Sequence, residues 1–177
     1  NSSRIYDLDK KILSTNYDPI CYHSIPIPDN EETNIYDCFD LFTTMELIDD
    51  KDNLYFNEET KEYIKYYKEI KFWSLPKVLI VVLKRFMNNG NKITKKIDFP
   101  LKNLDLCKYC VGYRKKSNVY DLVGVSNHVG SLQGGHYFAY CRMDDGNWYN
   151  FNDTSVSRIS ENEVVSEKAY CLFYMKK

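Results

Sequence analysis

A strand, a turn and a returning strand can be read in the stretch GGHYFAYCRMDDGNWYNF, residues 134–151. Aromatic and small apolar residues at 137–143 suit a half-buried strand, residues 144–147 are typical of a turn, and residues 148–151 return antiparallel. The paired glycines before His136 allow positive φ values and let another chain approach the backbone closely. The stretch therefore predicts an antiparallel hairpin with a histidine at the start of its first strand.

The turn of this hairpin determines which residue faces the histidine. A two-residue loop at 145–146 pairs His136 with Ser155, whereas a β-bulge moves Asp153 or Asn152 to the opposite position. Directly opposed Cβ atoms lie roughly 5 Å apart, so an amide or a carboxylate there can hydrogen-bond the imidazole. Such a pair matches the base and the orienting group of a catalytic triad. On the hairpin alone, a structural role for this histidine is the more common one.

Strands dominate the rest of the sequence. The β-branched run from Lys77 to Phe86 predicts a strand buried on both faces. One helix is predicted from Asn34, with Thr33 as its N-cap, an apolar face that runs to Met45 and an exit into a loop at residues 49–50. A capping box at Ser160 and Glu163 indicates a short second helix. Further strands are predicted at 20–27, 92–99, 119–126, 148–152 and 170–174. Residues 50–72 show neither the apolar period of a helix nor that of a strand. The sequence thus predicts one α+β domain over residues 1–177, built mainly on an antiparallel sheet with few helices.

The composition argues against several classes of partner. The net charge of −1 provides no field for nucleic acid, and the longest apolar run, Val78 to Leu83, is far too short to span a membrane. Six cysteines are scattered through a chain large enough to have its own core, which is typical of reduced thiols. We therefore expect an intracellular protein, cytoplasmic or nuclear, that binds neither nucleic acid nor membrane.

Five segments carry a family resemblance, in order along the chain. YDLVGVSNHVG at 120–130, followed by GGHYFAY at 134–140, is similar to the histidine box of the ubiquitin-specific proteases, and FNDTSV at 151–156 looks like the box that follows it. The other likenesses are IYDCFDLF at 35–42, LPKVLI at 75–80 leading to LKRF at 83–86, and DFPL at 98–101 with LDL at 104–106. The resemblance spans roughly residues 20–175. It implies a papain-like cysteine protease fold, of which this chain holds the palm and fingers portion.

The resemblance also implies residue roles. Members of the family hydrolyse the bond after the C-terminal Gly-Gly of ubiquitin through a thiol nucleophile. Carried over by position, His136 is the general base and Asn152 orients it, with Asp153 in support. An Asn side chain accepts the imidazole N–H but cannot offset an imidazolium charge, which a neighbouring carboxylate can do.

The ubiquitin tail is narrow, so the family's groove for it is expected to have glycine in its wall. By position, Gly134, Gly135 and Tyr137 are expected to line this groove, and His128 is expected to shape the loop over it. The partners implied are ubiquitin and ubiquitinated proteins.

The family's nucleophile lies in an N-terminal Asn-x-Cys box, and none of the six cysteines has such neighbours. The chain is therefore interpreted as the C-terminal half of a catalytic domain, whose missing N-terminal half supplies the thiol. The alternative is a non-catalytic ubiquitin-binding scaffold that keeps the fold. The joint presence of His136, Asn152 and Asp153 favours the enzyme, because a scaffold has no catalytic need for them.

Metal and cofactor binding are not expected. Many family members hold zinc with paired Cys-x-x-Cys motifs, and the second pair would fall at about residues 54–62, where this chain has no cysteine. Cys107 and Cys110 form a Cys-x-x-Cys, but a second pair at ligand spacing is missing from the sequence.

Overall fold

The computed structural model describes residues 1–113 and 117–177, and in this part of the chain strands predominate. In chain order the elements are β1 Ser2–Tyr6, β2 Ile12–Tyr17, β3 His23–Ile25, α1 Ile35–Thr43, β4 Glu46–Ile48, β5 Tyr55–Asn57, β6 Glu62–Ile64, β7 Tyr66–Lys71, β8 Val78–Leu83, β9 Leu104–Asp105, β10 Val119–Gly130, β11 Gly135–Arg142, β12 Trp148–Asn152, β13 Ser155–Ile159, α2 Glu161–Val164 and β14 Ala169–Lys176. Short 3-10 turns lie at Lys51–Asn53 and Cys107–Tyr109.

The larger sheet has eight strands in the order β13-β12-β11-β10-β14-β8-β3, with β9 pairing on β10. Neighbouring strands in this sheet run antiparallel, except for β3 and β8, which run parallel to each other. The predicted sheet of mainly antiparallel strands with few helices is confirmed. Among the described residues, no helix is long and apolar enough to cross a membrane.

The segment 50–72, which has no clear period in sequence, belongs to a smaller region of strands. A four-stranded sheet has the order β2-β1-β7-β4, and β5 pairs with β6 as a separate hairpin. Phe56 and Tyr63 are directly opposed in this hairpin, and their ring centroids lie 5.2 Å apart; Tyr55 lies 5.8 Å from Tyr66, the first residue of β7. Cross-strand aromatic pairs of this kind stabilise two-stranded units. They occupy the segment where the resemblance places a zinc-binding pair in other family members.

Strand β8 departs from the prediction of a strand buried on both faces. Leu79, Val81 and Leu83 are buried in the core, whereas Ile80 is only half-buried and Val78 is exposed. The alternation arises because α1 and the loops after β8 cover one face of the sheet, and the other face has no comparable cover within the described residues. Residues 92–99, predicted as a strand, contribute single bridges only, at Lys92 and Asp98.

The helix bounds also differ from those predicted. Asn34, not Thr33, is the N-cap: its Oδ1 accepts from the N–H groups of Tyr36 and Asp37, and the Asp37 carboxylate accepts from the Asn34 N–H. The helix ends at Thr43, because the next residues extend to pair as β4 with β7. The predicted capping box of Ser160 and Glu163 is confirmed at α2.

Candidate active site

The hairpin of β10 and β11 brings the predicted site residues to one end of the larger sheet. Its last pair is Gly130 with Gly135, and the Ser131 N–H donates to the Gly134 carbonyl across the connecting loop. Gly130 has a φ of 110°, and a Cβ there would lie 2.5 Å from the Gly134 carbonyl oxygen. Glycine is therefore required for the chain to turn directly into the strand that carries His136.

The register of β11 and β12 determines which residue faces His136. Ala139 pairs with Phe151, and the connection is a three-residue loop in which Gly146 has a φ of 79°. This is one residue longer than a two-residue loop, so the pairing of His136 with Ser155 is wrong. The bulged alternative is wrong as well, because neither Asp153 nor Asn152 lies directly opposite His136. By the same register, Asn152 lies across from Phe138 and is the diagonal neighbour of His136 on the same face of the sheet.

The imidazole of His136 contacts both predicted partners. Its Nε2 lies 2.5 Å from Asn152 Oδ1 and 4.0 Å from Asp153 Oδ2. Asp153 has a φ of 51°, in the left-handed region, within the tight turn between β12 and β13. Its carboxylate is 79% exposed, so solvent screens its attraction for a charged imidazole.

The Asn152 contact defines the tautomer of the histidine. A side-chain carbonyl oxygen can only accept, so Nε2 carries the proton and Nδ1 is the basic nitrogen. Within residues 1–113 and 117–177, no group hydrogen-bonds Nδ1, and 44% of the His136 side chain is exposed. The arrangement can accept a proton from a group that approaches Nδ1.

The two glycines before His136 differ in their surroundings. A Cβ on Gly134 would meet no atom within 4 Å. A Cβ on Gly135 would collide with His128 Nε2 and would lie 2.5 Å from the Val129 carbonyl oxygen. Gly135 is thus required by the packing of its own chain, whereas Gly134 faces open space.

His128 is buried, with 3% of its surface exposed. Its ring packs 4.6 Å from that of Tyr137, 5.6 Å from Phe86 and 6.0 Å from Tyr170, measured between centroids. Burial, reinforced by the nearby Lys92 ammonium, lowers the pKa of this imidazole. Tyr137 is the exposed member of the cluster, at 55%.

Phe86 and Tyr170 were not predicted as site residues. They reach His128 only because β14 pairs with both β8 and β10, which joins segments far apart in sequence. Phe86 belongs to the LKRF motif, so the resemblance could have identified it. Tyr170 belongs to none of the motifs that carry the resemblance, so there was no reason in the sequence to select it.

All six cysteines are free thiols. Burial raises the pKa of both Cys38 and Cys171 to about 11, and it also raises the pKa of Cys141. A hydrogen bond to the Asp105 carboxylate raises the pKa of Cys107. None of these four thiols is activated as a nucleophile, which requires a lowered pKa. Among the described residues, no cluster of three or more His, Cys, Asp or Glu side chains could hold a metal ion.

The family model of the ubiquitin carboxyl-terminal hydrolases matches residues 9–174 of this chain. The chain belongs to this family. Ubiquitin carboxyl-terminal hydrolase 15 of Homo sapiens is 40% identical over 153 residues, which cover 84% of this chain and 16% of that protein. Ubiquitin carboxyl-terminal hydrolase 9 of Arabidopsis thaliana is 38% identical over 150 residues, which cover 82% of this chain and 16% of that protein. The chain therefore spans about a sixth of the length of these relatives.

Solved structures of the family agree with the fold. The SAGA DUB module of Ubp8, Sgf11, Sus1 and Sgf73 bound to monoubiquitin matches with a TM-score of 0.84 and 35% identity, covering 99% of this chain and 40% of that chain. The same module bound to ubiquitin aldehyde matches with a TM-score of 0.80 and 33% identity over the same shares. The predicted membership of the ubiquitin-specific protease family is confirmed.

Proposed function

We propose that residues 1–177 are the C-terminal part of a papain-like catalytic domain that hydrolyses the bond after the C-terminal glycine of ubiquitin. In this domain His136 is the general base, Asn152 orients it and Asp153 supports it. The contact between His136 Nε2 and Asn152 Oδ1 is the observation that carries the proposal, because it leaves Nδ1 as an accessible base. The ubiquitin named in the titles of the matched structures supports ubiquitin as the substrate.

The nucleophile is a cysteine outside residues 1–177. The raised pKa values of four thiols argue against those residues, and none of the six cysteines lies in a box of the family's form. The matched structures extend well beyond this chain, which covers 40% of each. We infer that this further part docks against His136 and supplies the thiol, and that the whole protein works in a reducing compartment, cytoplasmic or nuclear, where a free thiol persists.

Proton transfer through His136 accounts for both half-reactions. Nδ1 takes the proton of the thiol as sulfur attacks the carbonyl carbon of the terminal glycine. The same proton then passes to the leaving amine as the C–N bond breaks, which leaves a thioester. Water next loses a proton to Nδ1 and attacks the thioester, releasing ubiquitin with a free carboxylate and restoring the thiol. Asn152 keeps the ring oriented throughout, and the Asp153 carboxylate stabilises the imidazolium when it forms.

Gly134 and Tyr137 line the groove for the ubiquitin tail in this proposal. Gly134 leaves open space beside the backbone, and the exposed ring of Tyr137 provides an apolar wall. Gly135 and His128 form the floor that supports them, since each is packed against the other.

A ubiquitin derivative with a thiol-reactive C-terminus tests the proposal on the full-length protein. We expect the wild type to form a covalent adduct with one cysteine outside residues 1–177, identified by mass spectrometry. A folded full-length protein that binds ubiquitin but forms no adduct would be a scaffold, and the enzyme assignment would then be wrong. An adduct on any of the six cysteines of this chain would instead contradict the position assigned to the nucleophile.

A further inference from the structure

Arg85 is completely buried, yet no carboxylate hydrogen-bonds it within the described residues. Its Nε donates to the Ala169 carbonyl at 2.7 Å, and its Nη1 donates to the carbonyls of Ile93 and Lys95, both at 2.9 Å. Buried arginines are rare unless they are paired, and hydrogen bonds from a charged donor are stronger than those between neutral groups. Three backbone carbonyls thus hold a charge that the core would otherwise exclude.

These carbonyls belong to two segments that meet at the aromatic cluster. Ala169 is the first residue of β14, and the next residue, Tyr170, packs on His128. Ile93 and Lys95 lie in the connection after β8, which we call the 86–95 loop, and the Ile93 N–H donates back to the Arg85 carbonyl. A single guanidinium therefore fixes the distance between this loop and β14.

Phe86, the first residue of the loop, packs on the aromatic cluster around His128, so the distance between the loop and β14 affects this packing. The ring of Phe86 packs 5.6 Å from His128 and 6.1 Å from Tyr170. A second tie comes from Lys92, which bridges to Phe86 through its backbone and donates from Nζ to the His128 carbonyl at 2.7 Å. The loop is thus attached to His128 twice, through the ring of Phe86 and through the Lys92 ammonium, and His128 in turn packs against Gly135.

We propose that Arg85 is a positioning residue for the ubiquitin-tail groove, because its guanidinium holds the 86–95 loop and the start of β14 together beneath Tyr137. This inference rests on the proposed function. Arg85 does not contact the substrate: it acts through Phe86, His128 and Tyr170. The planar fork matters, since Nε and Nη1 reach the two segments in different directions at once, and an ammonium on a flexible stem cannot reproduce both.

The test compares Arg85→Lys with the wild type in the full-length protein. Hydrolysis of a fluorogenic amide at the ubiquitin C-terminus gives kcat and KM, and the Kd of ubiquitin is compared with that of ubiquitin truncated before its Gly-Gly. We expect KM to rise about tenfold with kcat changed less than about twofold, and the affinity gained from the tail to fall by a similar factor. Leu104→Ala, in the buried strand β9, provides a control that lowers the melting temperature without touching the groove.

Each result has a defined meaning. If Leu104→Ala raises KM as much as Arg85→Lys does, or if Arg85→Lys lowers kcat alone, Arg85 is merely structural. If Arg85→Lys does not fold, Lys92→Met decides, with an expected rise in KM of about threefold and an unchanged melting temperature. If the wild type shows no hydrolysis, the proposed function fails and the two Kd values still decide on Arg85. Equal affinity of the wild type for intact and truncated ubiquitin would overturn the inference.

Discussion

His128 and His136 lie on adjacent strands of one hairpin and differ in almost every physical respect. His128 pairs with Tyr137, so its side chain points to the face of the sheet opposite to that of His136. One ring is buried among aromatic rings, and the other is half-exposed and hydrogen-bonded to an amide. The comparison teaches that burial and the facing partner, not the residue type, distinguish His136, the proposed base, from the packing residue His128.

Replacing each histidine tests this difference most directly. We expect His136→Ala to lower kcat/KM for ubiquitin hydrolysis by about 10⁴-fold, because the variant lacks the proposed general base. His128→Phe keeps a ring in the aromatic cluster and should lower it at most about tenfold, mainly through KM. Steady-state kinetics on the full-length protein measures both values. Equal losses in the two variants would remove the distinction.

The third histidine, His23, extends the comparison to pH. It is buried against Phe72 at 4.7 Å, and burial is the main cause that lowers its pKa to about 4. The unfolded chain binds this proton near pH 6.5 and the folded chain does not, so stability is lost as the pH falls from about 6.5 to 4, by roughly 3 kcal/mol. His128 acts in the same direction, since its pKa is also lowered.

Urea denaturation of the purified protein at several pH values checks this prediction. In His23→Phe the free energy of unfolding should fall less steeply below pH 6.5 than in the wild type. Carboxylates contribute to both curves, so the difference between them isolates His23. Parallel curves would mean that His23 titrates normally in the folded protein.

Asn152 provides the next smaller effect. Asn152→Ala should lower kcat about 10²-fold, because the ring of His136 loses the group that fixes its tautomer. Asn152→Asp keeps an acceptor at the same place and should retain most of the activity. Matched rates for the two variants would show that orientation of the imidazole does not depend on this residue, and Asp153→Asn would then be examined as the alternative.

The local sequence does not determine whether Asn152 or Asp153 lies on the same face of the sheet as His136. The hairpin itself could be predicted, since its strands are aromatic and its turn residues are characteristic. A loop one residue shorter would place Asp153 across from Phe138 and on the face of His136, because a shift of one residue exchanges the two faces. The local sequence allows both loops. The family resemblance favoured Asn152, whereas the hairpin alone did not.

Long-range contacts set the other limits. The helix N-cap is Asn34 and not the predicted Thr33, because the Ile35 N–H donates to the Asp98 carbonyl of a distant segment. Phe86 and Tyr170 join His128 only through the order of strands in the larger sheet. Periodicity reports local structure, so it identified the helix and most strands of the larger sheet, but not the strands between residues 46 and 71 or which strands become neighbours.

Gly135 and Gly134 give the smallest effects and the sharpest contrast. Gly135→Ala forces a methyl group against His128 and the Val129 carbonyl, which should lower the free energy of unfolding by about 1–3 kcal/mol. Gly134→Ala meets no neighbour and should raise it slightly, by up to about 0.5 kcal/mol, because alanine reduces the entropy of the unfolded chain. Chemical denaturation of the two variants measures this difference.

The same pair separates packing from ligand binding. If Gly134 lines the tail groove, Gly134→Ala should weaken binding of intact ubiquitin several-fold, by about 1 kcal/mol, while leaving the affinity for ubiquitin without its Gly-Gly unchanged. A methyl group that stabilises the free protein and still weakens binding can act only on the ligand, since the chain itself leaves that space open. Unchanged affinity for intact ubiquitin would move the groove away from Gly134. The requirement for glycine at 135 would then rest only on the packing of its own chain, against His128 and the Val129 carbonyl.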